Sequence, residues 1–333
     1  MIKHILTVTV TAFLLISGCG TPNDPESIMG GDGGYKIVGK LKTSAYAQDV
    51  VVKDTLAYVA QGEGGLEIIS VANHTVPMLI TNLTEGCRGY SSKILLADTI
   101  VYIASGIFGI TVVDVSDPFQ PCTTINNRNI KPGKDFCIYK NFLFTAVSEE
   151  GVLISEISYP SQPDPRGTMI TPGYAQGVAC SSDSNYALVA IGEMGLAFYD
   201  ISQLQTGWGN YPLVKLADTE GYAENICINP DMPIAYVASG TGGLAIIDYS
   251  DTSNIKLAGK FDTGGYAKEV FYKSGKVFIT TELRGLQIID VSNPLDPYRI
   301  GTVQTAFAKG VTADDKYIYV ADEEEGLIII SIP

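Results

Sequence analysis

Histidine is nearly missing from this chain: two occur in 333 residues, and beyond the first few positions only His74 remains. That scarcity excludes a histidine-rich metal centre and leaves a Ser-His-Asp triad one residue to be built on. No HExxH, P-loop or dinucleotide fingerprint occurs. The glycine clusters at 30–34 and 62–65 lack the strand-to-helix setting that phosphate binding needs. Positive charge is also short, with 22 Lys and Arg against 36 Asp and Glu and a formal net charge of −14. Such a surface repels nucleic acid and anionic lipid headgroups and favours basic or neutral partners. The six cysteines are irregularly spaced and contain no CxxC, so they outline neither a zinc site nor a disulfide framework. No apolar run reaches the ~20 residues of a membrane helix.

What the N-terminus does hold is an export signal. Lys3 supplies the positive start, residues 5–16 the apolar core, and Ile16, Ser17 and Gly18 lead into Cys19. This order resembles the lipobox of bacterial lipoproteins. The resemblance implies a signal peptide over 1–18, lipidation of Cys19 and a flexible Gly- and Pro-containing tether over 19–34. Cleavage would remove Lys3 and leave a net charge of about −15.

The rest is a repeat. Gly65, Gly109, Gly151, Gly195, Gly243, Gly285 and Gly326 each open a short apolar strand, and successive copies lie 41 to 48 residues apart. The strand is apolar at nearly every position, as burial on both faces requires. Each unit reads as four short strands punctuated by Gly, Asp and Pro, which makes an antiparallel meander. Asp114, Asp200, Asp248 and Asp290 recur at the fifth position after the glycine. Their reuse suits acceptors for backbone N–H groups at a turn better than catalytic groups. The chain stops after the third strand of unit seven, while residues 35–41 stand alone and match the outer-strand segment 255–261. The expected fold is an all-β, seven-bladed β-propeller over 35–333, with four-stranded antiparallel blades. Its N-terminal strand completes the last blade and leaves no open edge.

The Gly-Leu-x-Ile-Ile-Asp-Val-Ser strand, the Tyr-Ala before the first strand and the Pro-x-x-Pro turn resemble the LVIVD repeat of bacterial and archaeal surface proteins. That resemblance implies an extracytoplasmic propeller with no family catalytic residues to carry over. Copy three departs from the pattern, with Pro132 for the tyrosine and Glu156 for the aspartate. Copy four carries an insertion around Trp208. A single tryptophan argues against the docking used by quinoprotein propellers, and no cofactor is expected.

Candidate site residues gather where the innermost strands begin. Tyr46, Tyr90, Tyr174, Tyr222, Tyr266 and Phe307 start six of the seven. Behind them stand polar residues that differ between blades, including Gln48, Asp49, Lys93, Lys134, Asp135, Glu224, Asn225, Lys268, Glu269 and Lys309. Strands converge on a propeller axis, so these side chains would ring one mouth of the channel. Two roles fit: aromatic wedges between blades with charges that pair or meet channel water, or a binding ring for a small polar ligand or peptide. The same face should carry Glu63, Glu193, Glu282 and residues 322–325, an acidic rim suited to a basic partner or Ca²⁺ but without the spacing of a calcium loop. His74 is placed at the bottom or rim of blade one. Cys137, Cys180 and Cys227 read as buried small hydrophobes on inner strands.

The function these residues favour is a non-enzymatic, lipid-anchored envelope or surface scaffold. It would be monomeric, bind an envelope or extracellular protein through loops on one face, and touch the membrane through its lipid alone. Two alternatives remain at this stage. One is a glycoside hydrolase or lyase using Asp49, Asp135, Glu224 or Glu269 in the channel, where two carboxyls would need a fixed separation and one raised pKa. The other is a small-ligand or ion-binding module.

Overall fold

The computed structural model describes residues 31–87, 89–127, 133–181, 185–204, 209 and 211–333. The expected signal peptide, Cys19, most of the tether, Pro132 and Trp208 lie outside them. Valine, isoleucine and tyrosine run in strands of four to six residues broken by Gly, Asp and Asn turns. They form seven antiparallel sheets of four strands each. Among the described residues the one departure from strand and turn is a 3-10 turn at Gly106–Phe108.

The innermost strands, Asp49–Lys53, Lys93–Ala97, Asp135–Tyr139, Gly177–Cys180, Asn225–Ile228, Glu269–Lys273 and Ala308–Ala313, pack side by side in chain order, and the last packs back on the first. That is a closed seven-bladed propeller. Each third strand is covered by a neighbouring blade on both faces, and Leu66, Ile68, Ile69, Leu244, Ile246 and Ile247 are fully buried. The seven opening glycines all have positive φ, between 69° and 86°. A Cβ on Gly195 would stand 2.3 Å from the Ala217 carbonyl, so both backbone angle and space demand glycine.

The repeated aspartates cap turns. Asp114, Asp200, Asp248 and Asp290 accept the N–H of Ser116, Ser202, Ser250 and Ser292 at 2.8–2.9 Å. In the divergent third copy Glu156 instead takes Ser158 Oγ and the Arg166 guanidinium.

Closure follows the sequence expectation. Lys36–Leu41 pairs antiparallel with Gly326–Ser331 as the outer strand of blade seven, with Leu41 opposite Leu327 and Lys36 opposite Ser331. Tyr35, just ahead of it, is buried against Leu286, Ile288 and Val303 of blade six. At the same end of the blade His74 stacks on Tyr317 at 3.7 Å between ring centres and meets the Tyr319 hydroxyl at 3.1 Å. His74, the one histidine among the described residues, therefore packs blade one onto blade seven.

Candidate functional site

The first residue of six inner strands and, past a bulge, the third residue of the seventh share one register and form one layer at the axis: Asp49, Lys93, Asp135, Gly177, Asn225, Glu269 and Gly310. Three of them latch neighbouring blades. Asp49 accepts the N–H of Ile94 at 3.0 Å, Asp135 that of Val178 at 3.0 Å, and Asn225 that of Val270 at 3.2 Å. The glycines leave room for this. A Cβ on Gly310 would fall 2.5 Å from Asp49 Oδ1, and one on Gly177 would fall 3.0 Å from Asn225 Cα.

Lys93 fills the middle of the layer. Its ammonium stands 3.4 Å from Asp49 and 3.8 Å from Asp135, and it donates a hydrogen bond to Glu269. Burial disfavours the charge on Lys93, but Asp49, Glu269 and Asp135 outweigh it and hold its pKa above the usual lysine value. For Asp135 and Glu269 burial dominates. It pushes Asp135 up to about 6 against the pull of Lys93, and it raises Glu269 well above the usual carboxylate range. One buried cation cannot offset three buried anions, so part of this cluster keeps its protons at neutral pH.

This layer divides the axis. Above it lies a cavity of about 170 Å³ walled by Gln48, Ser92, Lys134, Gln176, Glu224, Lys268 and Lys309; below it lies one of about 390 Å³ that includes Cys137, Cys180 and Cys227. Lys93, Asn225 and Glu269 line both. In the upper mouth the charges are largely paired: Lys268 with Glu224 at 2.7 Å, and Lys309 with Glu323 at 3.1 Å. Glu224 also accepts the Tyr266 hydroxyl.

The aromatic residues split into two groups. The rings of Tyr90, Tyr222 and Tyr266 lie on Gly62, Gly192 and Gly240, turn residues of the preceding blade, where a Cβ would come within 2.9–3.0 Å of ring carbons. The same turns make backbone bridges to the next blade, Gly62 to Ser91, Ser148 to Ala175, Gly192 to Ala223, Gly240 to Ala267 and Glu282 to Ala308. Those five turn residues all have positive φ. Tyr46, at 60 % exposure, has no such turn beneath it.

Blade seven explains the exception. Its turn is Asp322, Glu323, Glu324 and Glu325, and Glu323 replaces the positive-φ residue of the other blades. Asp322, wholly buried, accepts the N–H groups of Phe307, Glu324 and Glu325, and Glu323 N–H bonds the Phe307 carbonyl. The turn thus closes on its own blade and does not bridge to Ala47. In place of the bridge a cleft of about 770 Å³ opens between blades seven and one, lined by Lys42, Ser44, Tyr46, Glu63, Tyr90, Glu323 and Glu324. Burial, Glu323 and Glu63 all raise the Tyr90 hydroxyl pKa, a measure of the negative field inside the cleft.

Sequence reasoning placed Tyr46, Tyr90, Tyr174, Tyr222, Tyr266, Phe307, Asp49, Lys93, Asp135, Glu224 and Glu269 in one ring. The structure sorts them into three settings: Asp49, Lys93, Asp135 and Glu269 in the axial layer, Glu224 in the mouth above it, and the aromatics on the face. Sequence reasoning missed Lys42 and Ser44 and the opening of the seam between blades seven and one. No single residue signals it, because Glu282 of copy six stands at the same turn position as Glu323, yet takes positive φ and bridges to Ala308. Cys137, Cys180 and Cys227 are half-buried rather than fully enclosed, and the first two touch.

Comparison with known proteins bears on the fold. The model of the LVIVD repeat matches residues 44–85, 88–126, 172–204, 220–263, 264–305 and 307–332, leaving the divergent third copy unmatched. No curated protein matches the chain. Among solved structures it is similar to the WD40 β-propeller domain of Doa1, with TM-score 0.68, 13 % identity, and coverage of 90 % of this chain and 97 % of that one. It is also similar to the computationally designed Ika8 protein, with TM-score 0.61, 8 % identity, and coverage of 89 % and 99 %. At such identities these likenesses speak for fold alone.

Proposed function

Because the chain belongs to the LVIVD-repeat family, which fixes a ring of blades but no reaction, we propose that it is a non-enzymatic scaffold of the bacterial cell envelope. In this reading it is held by a lipid on Cys19 and binds a basic segment of an envelope or extracellular protein in the cleft between blades seven and one. The cleft carries the proposal. Two tyrosine rings, Tyr46 and Tyr90, and three carboxylates, Glu63, Glu323 and Glu324, converge where the backbone bridge is missing. Aromatic faces beside carboxylates suit a lysine or arginine side chain, which gains cation–π and charge contacts together. The acidic surface of the whole chain would steer such a partner inward.

The axial carboxylates fit enzymatic acid–base chemistry less well. Asp49 and Asp135 are 3 % and 5 % exposed and are spent on Lys93 and on backbone N–H groups of the next blade. A hydrolase needs its two carboxyls to flank open space that admits the scissile bond.

Capture from envelope extracts tests the reading. A salt-sensitive partner should bind the wild-type chain, be lost with Glu63→Gln, Glu323→Gln and Glu324→Gln combined, and survive Lys134→Ala in the channel mouth. Loss with Lys134→Ala and retention with the glutamines would move the site to the channel. The anchor is tested separately: Cys19→Ser should shift the folded protein from membranes to the soluble fraction, since among the described residues no helix is long and apolar enough to cross a membrane. Retention of that variant on membranes would refute lipid anchoring as the sole attachment.

A further inference from the structure

The lower cavity holds a feature that the binding face does not use. Cys137 lies on the inner strand of blade three and Cys180 on that of blade four, two strands that pack directly against each other. Their sulfur atoms are 2.9 Å apart, inside the van der Waals contact of two thiols and about 1 Å from the length of an S–S bond. Both side chains belong to the cluster that joins these blades, with Val178, Ile154 and Phe144 around them. Cys227, on blade five, packs instead toward blade six with Tyr272 and Val270, so the third cysteine of the cavity is not a competing partner. Cys87 is buried in the cluster joining blades one and two, and Cys122 is exposed on an outer strand.

We propose that Cys137 and Cys180 are a disulfide site that joins blades three and four covalently. The oxidant is a disulfide donor, either a small molecule or a thiol-disulfide oxidoreductase. One cysteine thiolate attacks the donor's S–S bond and releases the first donor thiol. The other cysteine then attacks the mixed disulfide, forms the Cys137–Cys180 bond and releases the second donor thiol. Two protons and two electrons leave the cysteine pair, and the donor is reduced to two thiols.

Burial and the neighbouring thiol raise the Cys137 pKa, so the closed ring holds little of the attacking thiolate. The staple lies across the ring from the seam, where the N-terminal strand makes the other closure. A bond joining residues 43 apart in sequence removes a large share of unfolded-chain freedom on the side of the ring that lacks a β-strand clasp.

The test is to refold the full-length chain with oxidised and reduced glutathione, then alkylate it in denaturant and map the peptides. The expected result is one linked peptide pair, Cys137 with Cys180, and Cys227 alkylated. The oxidised protein should melt several degrees above protein refolded in dithiothreitol. Cys137→Ala and Cys180→Ala should each abolish that redox-dependent difference, and Cys227→Ala should preserve it. Cys137→Val guards against a packing defect, since it fills the space without a thiol and should also melt independently of redox conditions. Full alkylation of both cysteines after oxidative refolding, or linkage of either to Cys227, Cys122 or Cys87, would overturn the proposal.

Discussion

The junction between blades four and five and the seam between blades seven and one come from the same repeat but finish differently. At the first, Gly192 takes positive φ, bridges to Ala223, and supports the Tyr222 ring, whose hydroxyl accepts Gln176 Nε2 at 3.1 Å. At the second, Glu323 stands in the place of that glycine, the turn folds back on Asp322 and Phe307, and Tyr46 is left exposed beside an acidic cleft. Glutamate alone does not cause the change, since Glu282 of blade six keeps positive φ and bridges to Ala308; the seam differs because its turn closes on Asp322 and Phe307 of its own blade. The repeat supplies the same aromatic to both junctions; the turn of the preceding blade decides whether it is packing or surface.

The largest effect is expected where the seam depends on the N-terminal strand. A chain beginning at Leu41 loses the outer strand of blade seven and the Tyr35 anchor in blade six. It exposes a sheet edge together with buried apolar surface, and should unfold or melt far below the intact protein. Thermal denaturation of the truncated chain at the wild-type temperature would refute the closure.

Next in size is the axial layer, which every blade shares. Lys93→Met leaves Asp49, Asp135 and Glu269 buried without their cation and should cost about 3–5 kcal/mol, read from chemical denaturation. The pH dependence follows from the raised carboxyls. The folded pKa of Asp135, about 6, exceeds its unfolded value of 3.8, so the folded state holds a proton that the unfolded chain releases. Its contribution is complete below about pH 4 and is lost as pH rises through 6, worth on the order of 3 kcal/mol. Glu269 acts in the same direction. Asp135→Asn should flatten the fall in stability between pH 4 and pH 6, whereas Lys93→Met should steepen it. A wild-type protein whose stability rises over that interval and is unchanged in slope by Asp135→Asn would contradict the reading of this layer.

The smallest effect on stability belongs to the acidic turn. Glu323→Gln, Glu324→Gln and Glu325→Gln together remove partly exposed pairs with Lys309 and Lys40 and should cost about 1 kcal/mol or less. Their effect should appear in partner association, which slows and loses its salt dependence, while dissociation changes less. Stopped-flow or surface-based rates at two salt concentrations separate the two.

The fold was legible because each of its determinants is local and repeated. Seven glycines need one positive φ, seven strands need apolar side chains on both faces, and the unmatched segments at the two ends fit each other. The site was legible only as a ring of positions. Which aromatics wedge and which stand free depends on contacts between copies, such as Tyr222 over Gly192, and a reading of one repeat at a time does not contain those. The charge layer was visible as residue types but not as a cluster. Asp49, Asp135 and Glu269 come from blades one, three and six, and they meet Lys93 only because the ring is closed. The contact of Cys137 with Cys180 was hidden for the same reason, since irregular spacing along the chain says nothing about neighbours around an axis.

The central claim is that the seam face binds while the repeated junctions hold the ring together. It is tested most directly by measuring melting temperature and partner capture for Tyr46→Ala and Tyr222→Ala in parallel. Tyr222→Ala empties a wedge that is only partly buried, so it should lower stability by about 2 kcal/mol and keep the partner. Tyr46→Ala should melt with the wild type and lose the partner. The reverse pattern, a destabilised Tyr46→Ala that still captures the partner beside a stable Tyr222→Ala that does not, would contradict the account.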